Sequence, residues 1–565
     1  MNSVVESFED IGNPQDNGEN WTKVTQNVRH SHASDHLFRY LFEDPDVFSC
    51  HADICPPTDK TMTLAALTLQ IANYMTRTQV LMVLATMVTT LTCSPAAEKR
   101  PNVLFIVCDD LNTHVSTSGY QHIVTPAWDK LASAGMTFSR AYCQYPVCDP
   151  SRASFLHGLY PESTGIVSNT TDIRVVRPGT VSLPQAFKEQ GYWTAATGKV
   201  FHNAKMDHGE GAWNEVVRYR NDEMPIEAKA RKEFEAKRGP VTERKNRKKW
   251  KAFLPTVATQ TRGQQPGYGP SGLTDAQHAD GKNARQAVAW LDNKSYAEKP
   301  FFMAVGIHKP HGPFLAPDAY FDLYPTEKLK FNAPPADFWD HAPKSAMVKR
   351  YKGFGFEFGV ENDSLRREYM QAYHACISFI DAQIGTILAS LKKNGLWENT
   401  IVVLTSDHGY QLGEHFMWGK VTLFEVCNRV PLIIRVPGTT AAGSSSEGLV
   451  EMVDFFPTLA ELCGVKTPDD LQGTSMIPML EDPEALGKDV VYTVVSRGPK
   501  LGKAIRTKRW RYARWSDGEE LYDLVNDIEE HHNLARSANH KSTLDTMRAH
   551  LTRIEAKAAS ATEKR

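Results

Sequence analysis

Five consecutive residues, Cys148-Asp149-Pro150-Ser151-Arg152, carry the most reactive chemistry in the sequence. Pro150 suits the first turn of a helix, because its missing N–H is not needed there and its φ is preset. Cys148 is therefore predicted at a helix N-terminus, where free N–H groups and the helix dipole stabilise an anion. The alternative is that Cys148 is a buried apolar thiol, as most unpaired cysteines are.

Four apolar, β-branched runs each lead directly into polar residues. Such runs are typical of parallel strands that are buried on both faces. Ligands bind outside the carboxyl ends of the strands in sheets of this kind, so the four polar ends are expected to converge on one site. The runs are 101–107 before Asp109-Asp110, 193–197 before Lys199 and His202, 301–307 before His308 and His311, and 401–405 before Asp407-His408.

Asp109, Asp110 and Asp407 supply three carboxylates from two of these strand ends. Carboxylates buried together would repel one another and take up protons, and a divalent cation removes that conflict. Hard oxygen ligands suit Ca²⁺ or Mg²⁺, so the sequence predicts such a site. The alternative is that each aspartate is a turn or N-cap residue.

Helical patterns, such as 286–291 and 365–393, alternate with the strands. This alternation predicts an α/β fold with a mostly parallel central sheet flanked by helices. The main domain is assigned to 99–485. Within it, 216–265 is a charged insertion, and its basic stretch 244–251 is interpreted as a solvated face or, alternatively, as a contact for a polyanionic substrate.

Residues 486–565 are assigned to a smaller C-terminal α+β subdomain. Alternating residues predict one strand over 504–515, and Asp517-Gly518 predicts the turn that follows it. A helix over 544–557 is expected to close the chain.

The overall composition is that of an ordinary globular protein, with 41% hydrophobic and 23% charged residues and a formal net charge of −2 over 565 residues. No nucleic-acid partner is expected from such a balance. The nine cysteines are an odd number scattered over a long chain, which is not a disulfide framework.

Residues 1–98 are interpreted as an N-terminal extension outside the folded domain. Arg77, the apolar run 80–88 and small residues at 94–97 follow one another as in a secretory signal peptide, placed near 75–97 with Met75 as the expected start. This order predicts export, to the periplasm or outside the cell. The run is too short to span a bilayer, so no integral membrane span is expected. A buried helix of the domain is the alternative.

Several segments together resemble the formylglycine sulfatases of the alkaline phosphatase superfamily, most closely the iduronate-2-sulfatase-like branch. The resemblance implies a sulfatase-like fold and hydrolysis of a sulfate ester on a sulfated carbohydrate. It covers about residues 100–437 and returns weakly at 520–535. The segments are NVLFIVCDDLN, CDPSR, GKVFH, HKPH and SDHGYQLGEH followed by WGK.

The resemblance also implies residue roles. A maturation enzyme would convert Cys148 to Cα-formylglycine, whose hydrate carries two hydroxyls on one carbon: one attacks the sulfur, and the other allows sulfate to leave. The implied metal ligands, normally to calcium, are Asp109, Asp110, Cys148, Asp407 and His408. The implied catalytic residues are Arg152 and Lys199, which would hold the hydrate, His202, which would take its proton, and His308 and Lys420, which would bind sulfate and protonate the leaving oxygen.

Two positions depart from the common pattern of this family. His408 stands where many members have asparagine, which favours the iduronate-2-sulfatase-like branch. His157 stands where threonine is common, near the residues that the maturation enzyme reads. A formylglycine-dependent phosphonate or phosphodiester hydrolase is one alternative function. A catalytically silent homologue that binds sulfated glycans is another.

Overall fold

The computed structural model describes residues 100–202, 211–258, 267–331, 334–348 and 363–560. The predicted N-terminal extension and the signal peptide at 75–97 lie outside these residues. Within them, six cysteines are buried and unpaired: Cys108, Cys143, Cys148, Cys376, Cys427 and Cys463.

The strands supply a central sheet, a C-terminal sheet and short loop pairs. Those of the main part are β1 Asn102–Asp109, β2 Met136–Tyr142, β3 Trp193–Gly198, β4 Glu215–Val217, β5 Tyr268–Pro270, β6 Phe301–Pro310, β7 Phe314–Ala316, β8 Thr400–Ser406, β9 Gln411–Leu412, β10 Trp418–Gly419, β11 Arg429–Arg435 and β12 Ser444–Glu451. Those of the C-terminal sheet are β13 Val491–Arg497, β14 Lys500–Arg506, β15 Trp510–Trp515 and β16 Gly518–Asp523.

The helices of the described residues pack on the two faces of the central sheet or lie in its connections, except α14, which packs against the C-terminal sheet. They are α1 Pro126–Ala132, α2 Cys148–His157, α3 Pro161–Thr164, α4 Ile173–Val176, α5 Leu183–Glu189, α6 Pro225–Arg238, α7 Arg244–Ala258, α8 Ala279–Asp292, α9 Phe338–His341, α10 Asp363–Lys393, α11 Glu425–Asn428, α12 Phe455–Leu462, α13 Ile477–Glu481 and α14 Lys541–Ser560.

The central sheet has eight strands in the order β12-β2-β11-β8-β1-β6-β3-β4. Only β11 runs against its neighbours, β8 and β2. The predicted α/β fold with a mostly parallel sheet is therefore confirmed. Strand β1 lies between β6 and β8, and all eight of its residues are buried, as its unbroken apolar run requires.

The register of the sheet brings the four predicted strand ends to one edge. Cys108 pairs with Ser406 of β8, and Val107 pairs with Gly306 of β6. Gly306 also pairs with Gly198, the last residue of β3. Parallel strands that end in register present the residues after them side by side.

Helix α10 contains the one stretch of the described residues, Ser364–Lys393, that is long and apolar enough to cross a membrane by length and composition. Of its most apolar window, 78% is buried inside the protein. Its buried side chains join the apolar core on one face of the sheet, among them Tyr373, Phe379 and Ile380. The helix therefore packs as a core helix.

The C-terminal part folds as a smaller α+β unit, in which β13 to β16 form an antiparallel sheet with α14 against it. The single strand predicted over 504–515 is wrong, because β14 ends at Arg506 and β15 begins at Trp510. The turn between them contains neither glycine nor proline, and Thr507 N–H closes it on Trp510 O at 2.9 Å. Alternation continues through such a hairpin, so the pattern alone did not reveal it.

Candidate active site

The two aspartates that end β1 turn toward the same place. Asp110 has a φ of +66°, so the chain leaves the strand through the left-handed region and both carboxylates reach one side of the sheet edge. The Asp110 N–H donates to Asp407 Oδ1 at 3.1 Å. This hydrogen bond joins the ends of β1 and β8, which the sequence predicts to converge on one site.

Cys148 is the first residue of helix α2, and Pro150 lies in its first turn. The predicted helix start is therefore observed. The Cys148 thiol lies 3.2 Å from Asp109 Oδ1, and Lys420 Nζ approaches the same sulfur at 3.1 Å. The side chain is buried, at 1% exposure.

Arg152, one turn further along α2, is fully buried between the carboxylates. Its Nε donates to Asp407 Oδ2 at 2.9 Å, and its Nη1 donates to the carbonyl oxygens of Lys199 and Val200. Its Nη2 lies 3.7 Å from Asp109 Oδ1 and has no hydrogen-bond partner. Arg152 therefore joins three strand ends, and its Nη2 group is left without a hydrogen-bond partner.

Two lysines, Lys199 and Lys420, balance the charge of the aspartates near the thiol. Lys199 follows Gly198, whose φ of +72° turns the chain out of β3, and a Cβ at Gly198 would lie 2.0 Å from Gly306 O. Lys199 Nζ forms an ion pair with Asp109. Lys420 Nζ forms an ion pair with Asp110. Each aspartate of β1 thus has its own ammonium partner.

These charges shift the pKa values of the groups they surround. Burial and the Asp109 carboxylate raise the pKa of the Cys148 thiol, but Lys420 and Lys199 outweigh them and hold it well below its ordinary value. Burial raises the pKa of Asp407 to about 6, with His408 and Arg152 opposing. Burial opposes protonation of His408, but Asp407 raises its pKa to about 9. The surrounding charges therefore favour the thiolate of Cys148 and the charged imidazole of His408.

The donor set suits a divalent cation. Ligand atoms of Asp109, Cys148, Asp407 and His408 lie within 4.8 Å of one another, and all four residues are buried. His408 Nε2 is buried without a hydrogen-bond partner, 3.4 Å from Asp110 Oδ1 and 3.6 Å from Asp407 Oδ1. Carboxylate oxygens around an imidazole nitrogen with no partner are what a metal would satisfy.

Three further histidines, His202, His308 and His311, line the cleft at this edge of the sheet. His308 Nδ1 lies 3.9 Å from Asp109 Oδ2, and its side chain is 44% exposed. The His311 ring lies 5.0 Å from that of His308, and its Nδ1 contacts Gly312 O at 2.7 Å. His202 lines the same cleft, and its Nδ1 is buried without a partner.

The structure thus brings together all the site residues that the sequence predicted, while the role of each stays a prediction. His311, which follows the same apolar run as His308, lies in the cleft with Asp110 and Cys148 close by. His157 lies at the other end of α2, where its Nδ1 contacts Ala153 O at 2.8 Å.

One residue that sequence reasoning missed is Asp280, near the start of α8. It is buried, and its two oxygens accept the backbone N–H groups of His308 at 2.8 Å and Lys309 at 2.9 Å. Burial raises the pKa of Asp280, and these two backbone groups oppose the rise. No sequence signal separates it from other acidic residues in the first turn of a helix.

The cleft above the site was also not predicted. It has a volume of about 900 Å³ and is walled by the strand ends and by residues 218–224, the first part of the predicted insertion. The basic stretch 244–251 falls on α7 and does not line this cleft.

Comparison with known proteins bears out the resemblance seen in the sequence. The sequence model of the Sulfatase family matches residues 101–465, and that of the C-terminal part of N-sulphoglucosamine sulphohydrolase matches 413–557. A sulfatase of Formosa agariphila is 34% identical over 476 residues, which are 81% of this chain and 87% of that protein. Iduronate 2-sulfatase of Mus musculus is 29% identical over 540 residues, with 79% and 93% of the two chains covered.

A solved structure of similar fold is the phosphonate monoester hydrolase of Agrobacterium radiobacter, with a TM-score of 0.65. It is 23% identical and covers 81% of this chain and 96% of that chain, a likeness that supports the fold alone. The family match over most of the described residues, together with the carboxylate, lysine and cysteine cluster at the sheet edge, shows that this chain belongs to the sulfatase family of sulfuric ester hydrolases.

Proposed function

We propose that this protein hydrolyses a sulfate ester on a sulfated carbohydrate, with Cys148 matured to formylglycine and with bound Ca²⁺ or Mg²⁺. The single observation that carries the proposal is the contact of the Cys148 sulfur with both Asp109 and Lys420 at a helix start. A nucleophile set between metal-binding carboxylates and a cation suits attack on a tetrahedral anion. The named activity of the mouse relative, iduronate 2-sulfatase, supports the carbohydrate as substrate class.

The residues that would hold the metal are Asp109, Asp110, Asp407 and His408, with the matured residue 148. Their oxygens and the His408 Nε2 without a partner suit a hard divalent cation, which supplies Lewis-acid polarisation of a sulfate oxygen. Arg152 would hold Asp407 and Asp109 in place through Nε and Nη2. Once Asp109 and Asp110 bind the metal, their present partners Lys199 and Lys420 would be free to meet the substrate.

Maturation supplies a hydrated aldehyde, in which one hydroxyl is the nucleophile and the other allows sulfate to be released. Lys199, whose Nζ reaches the Asp109 carboxylate, would donate a hydrogen bond to that hydrate. His202 would accept the proton of the second hydroxyl during release, because its ring lines the cleft beside residue 148.

Lys420 and His308 would bind the sulfate group from the side of the leaving oxygen. Lys420 Nζ lies 3.1 Å from Cys148 Sγ, the atom that maturation would replace with the hydrate oxygens, so its ammonium would meet the charge that develops on the transferred group. Burial lowers the pKa of His308. A bound anion would oppose that shift and favour the charged ring that protonates a leaving alkoxide.

The cleft wall supports an anionic sugar as the remainder of the substrate. Asp222 pairs with Lys282 at 2.5 Å, and Glu223 pairs with Arg231 at 2.7 Å. Arg220 also lines the cleft and has no such acidic partner among the described residues. Arg218 and Arg220 therefore give the cleft wall guanidinium groups that suit a saccharide with acidic groups, next to the carboxylate of Glu227.

Export and maturation are part of the same proposal. Signal-peptide cleavage near residues 75–97 and conversion of Cys148 by a separate maturation enzyme would precede activity. N-terminal sequencing of the exported protein would locate the cleavage site, and a mature start well upstream of residue 75 would contradict this part.

The test of function is turnover by protein that has been co-expressed with a formylglycine-generating enzyme. We expect hydrolysis of 4-nitrophenyl sulfate and release of sulfate from sulfated disaccharides, with both lost in Cys148→Ala. Faster turnover of a phenylphosphonate ester than of any sulfate ester would favour the phosphonate hydrolase alternative. Binding of sulfated disaccharides without release of sulfate by matured protein would favour the silent homologue.

A further inference from the structure

The first strand of the C-terminal sheet, β13, holds the segment that leads into Cys148. This segment, residues 143–147, runs along β13 before α2 begins. Three hydrogen bonds join them: Thr493 Oγ1 to Cys143 O at 2.6 Å, Val494 N to Gln144 O at 2.9 Å, and Ser496 N to Tyr145 Oη at 2.8 Å.

The end of the same strand holds the segment that carries Lys420. Arg497, the last residue of β13, donates from Nη2 to Val421 O at 2.8 Å. Its Nε donates to Ser345 O at 2.6 Å, so the two ends of one guanidinium join two loops. The Val421 N–H donates to Pro146 O at 3.2 Å, which links the Lys420 loop back to the Cys148 segment.

Val421 has a strained backbone that needs outside support. Its φ is +75°, in the left-handed region that β-branched residues rarely adopt. Such conformations persist only where the surroundings over-determine them. Hydrogen bonds on both sides of Val421, from its N–H to Pro146 and to its carbonyl from Arg497, supply that support directly after Lys420.

We propose that Arg497 is a positioning residue that sets where Lys420 Nζ lies relative to residue 148. The inference rests on the sulfate-binding role proposed for Lys420. Arg497 contacts the backbone carbonyls of Ser345, Ser496 and Val421 and the face of Trp515, 5.0 Å from its Cζ, and would act on the reaction through the loop that carries Lys420. The C-terminal sheet would thereby support the active site from outside the cleft, which none of the sheet's described residues lines.

The chemistry of the guanidinium explains why arginine is required. A planar fork can donate to Ser345 and Val421 at once, whereas a lysine ammonium is a single point of donation. Arg497→Lys is therefore expected to keep part of the effect, and Arg497→Gln to lose it. The matched control is Arg509→Gln in the same sheet, because Arg509 is half-exposed and pairs with Asp523 at 2.6 Å, away from the site.

Hydrogen–deuterium exchange of the full-length protein tests the positioning itself. In Arg497→Gln we expect the Val421 amide, within a peptide covering 419–424, to exchange about tenfold faster or more, the factor that loss of one hydrogen bond to a charged group supplies. Peptides of β15 and β16 should keep their wild-type rates. Unchanged exchange at 419–424 would overturn the proposal.

Kinetics of the matured enzyme then separate positioning from general support of the fold. With 4-nitrophenyl sulfate, Arg497→Gln should lower kcat/KM about tenfold or more while the melting temperature falls by only a few degrees. Arg497→Lys should recover part of the activity, and Arg509→Gln should match wild type. A loss of activity that follows an equal loss of melting temperature, with faster exchange throughout the C-terminal sheet, would show a structural role and overturn the proposal. If wild type does not hydrolyse any sulfate ester, the proposed function fails, and the exchange result alone decides the role of Arg497.

Discussion

Asp280→Asn removes one of the two carboxylate oxygens that hold the end of β6 at His308 and Lys309. Asp280 is 2% exposed, and each of its oxygens accepts one backbone N–H, from His308 or Lys309. An asparagine of the same shape offers one oxygen and one NH₂ group, so one buried N–H would face another donor. Leaving a buried donor unsatisfied costs about 1–3 kcal/mol.

This cost is expected to appear in both stability and activity. If the end of β6 moves to relieve this clash between donors, His308 moves with it. A shift of about 1 Å in a reacting group can lower the rate about 100-fold. We therefore expect a lower melting temperature and a 10- to 100-fold lower kcat/KM, an order-of-magnitude range. The assay is 4-nitrophenyl sulfate hydrolysis by matured protein, with a thermal melt of the same sample.

Asp292→Asn is the matched control, at the other end of α8. Asp292 is exposed and accepts from Asn394 at 2.6 Å and Ser390 at 2.9 Å. It should behave as wild type within about twofold, as surface substitutions usually do. Wild-type activity and melting temperature in Asp280→Asn would refute the reasoning, since the buried N–H would then have found another acceptor.

Three further predictions follow from the same contacts. After co-expression with a maturation enzyme, the peptide containing Cys148 should be about 18 Da lighter than the thiol form, from loss of H₂S and gain of oxygen; an unmodified mass would leave the protein without its nucleophile. Chelation should abolish turnover and lower the melting temperature, because a metal at 100 times its Kd contributes about 2.7 kcal/mol to the free energy of unfolding. Added Ca²⁺ should restore both turnover and melting temperature in wild type but not in Asp407→Ala. Full activity in chelator would contradict the metal site. Burial lowers the pKa of His157 to about 4. The stabilisation by neutral His157, at most about 3 kcal/mol, is therefore present above pH 6.5 and is lost as the pH falls toward 4. The melting temperature of His157→Thr should fall less steeply than that of wild type over this range, and parallel curves for the two proteins would disprove the prediction.

The core of the fold could be predicted because its signals are local. Apolar runs of β-branched residues identify buried strands, and the polar residues after them identify the functional edge, as Asp109, His308 and Asp407 show. The start of α2 at Cys148 was predictable for the same reason, since Pro150 fixes its own φ whatever lies around it. The hairpin at 507–509 was missed because its turn has no residue that demands a turn conformation.

Contacts between distant segments were beyond any local pattern. Lys420 lies 310 residues from its partner Asp110, in a loop that directly follows the two-residue strand β10, which is too short to show any periodicity. Asp280 looks like any acidic residue in a first helical turn until the fold places it under His308.

The sequence by itself determined which residues can do the chemistry, because a thiol, a carboxylate or an imidazole keeps its reactivity wherever it stands. It also determined the α/β architecture, because alternating buried strands and helices have few ways to pack. Only the tertiary structure decided which groups lie close together. It pairs Lys199 with Asp109 and Lys420 with Asp110, and it places the Arg497 guanidinium against the Val421 carbonyl, next to Lys420. Charge interactions depend on distance and burial, and both are set when the chain closes on itself.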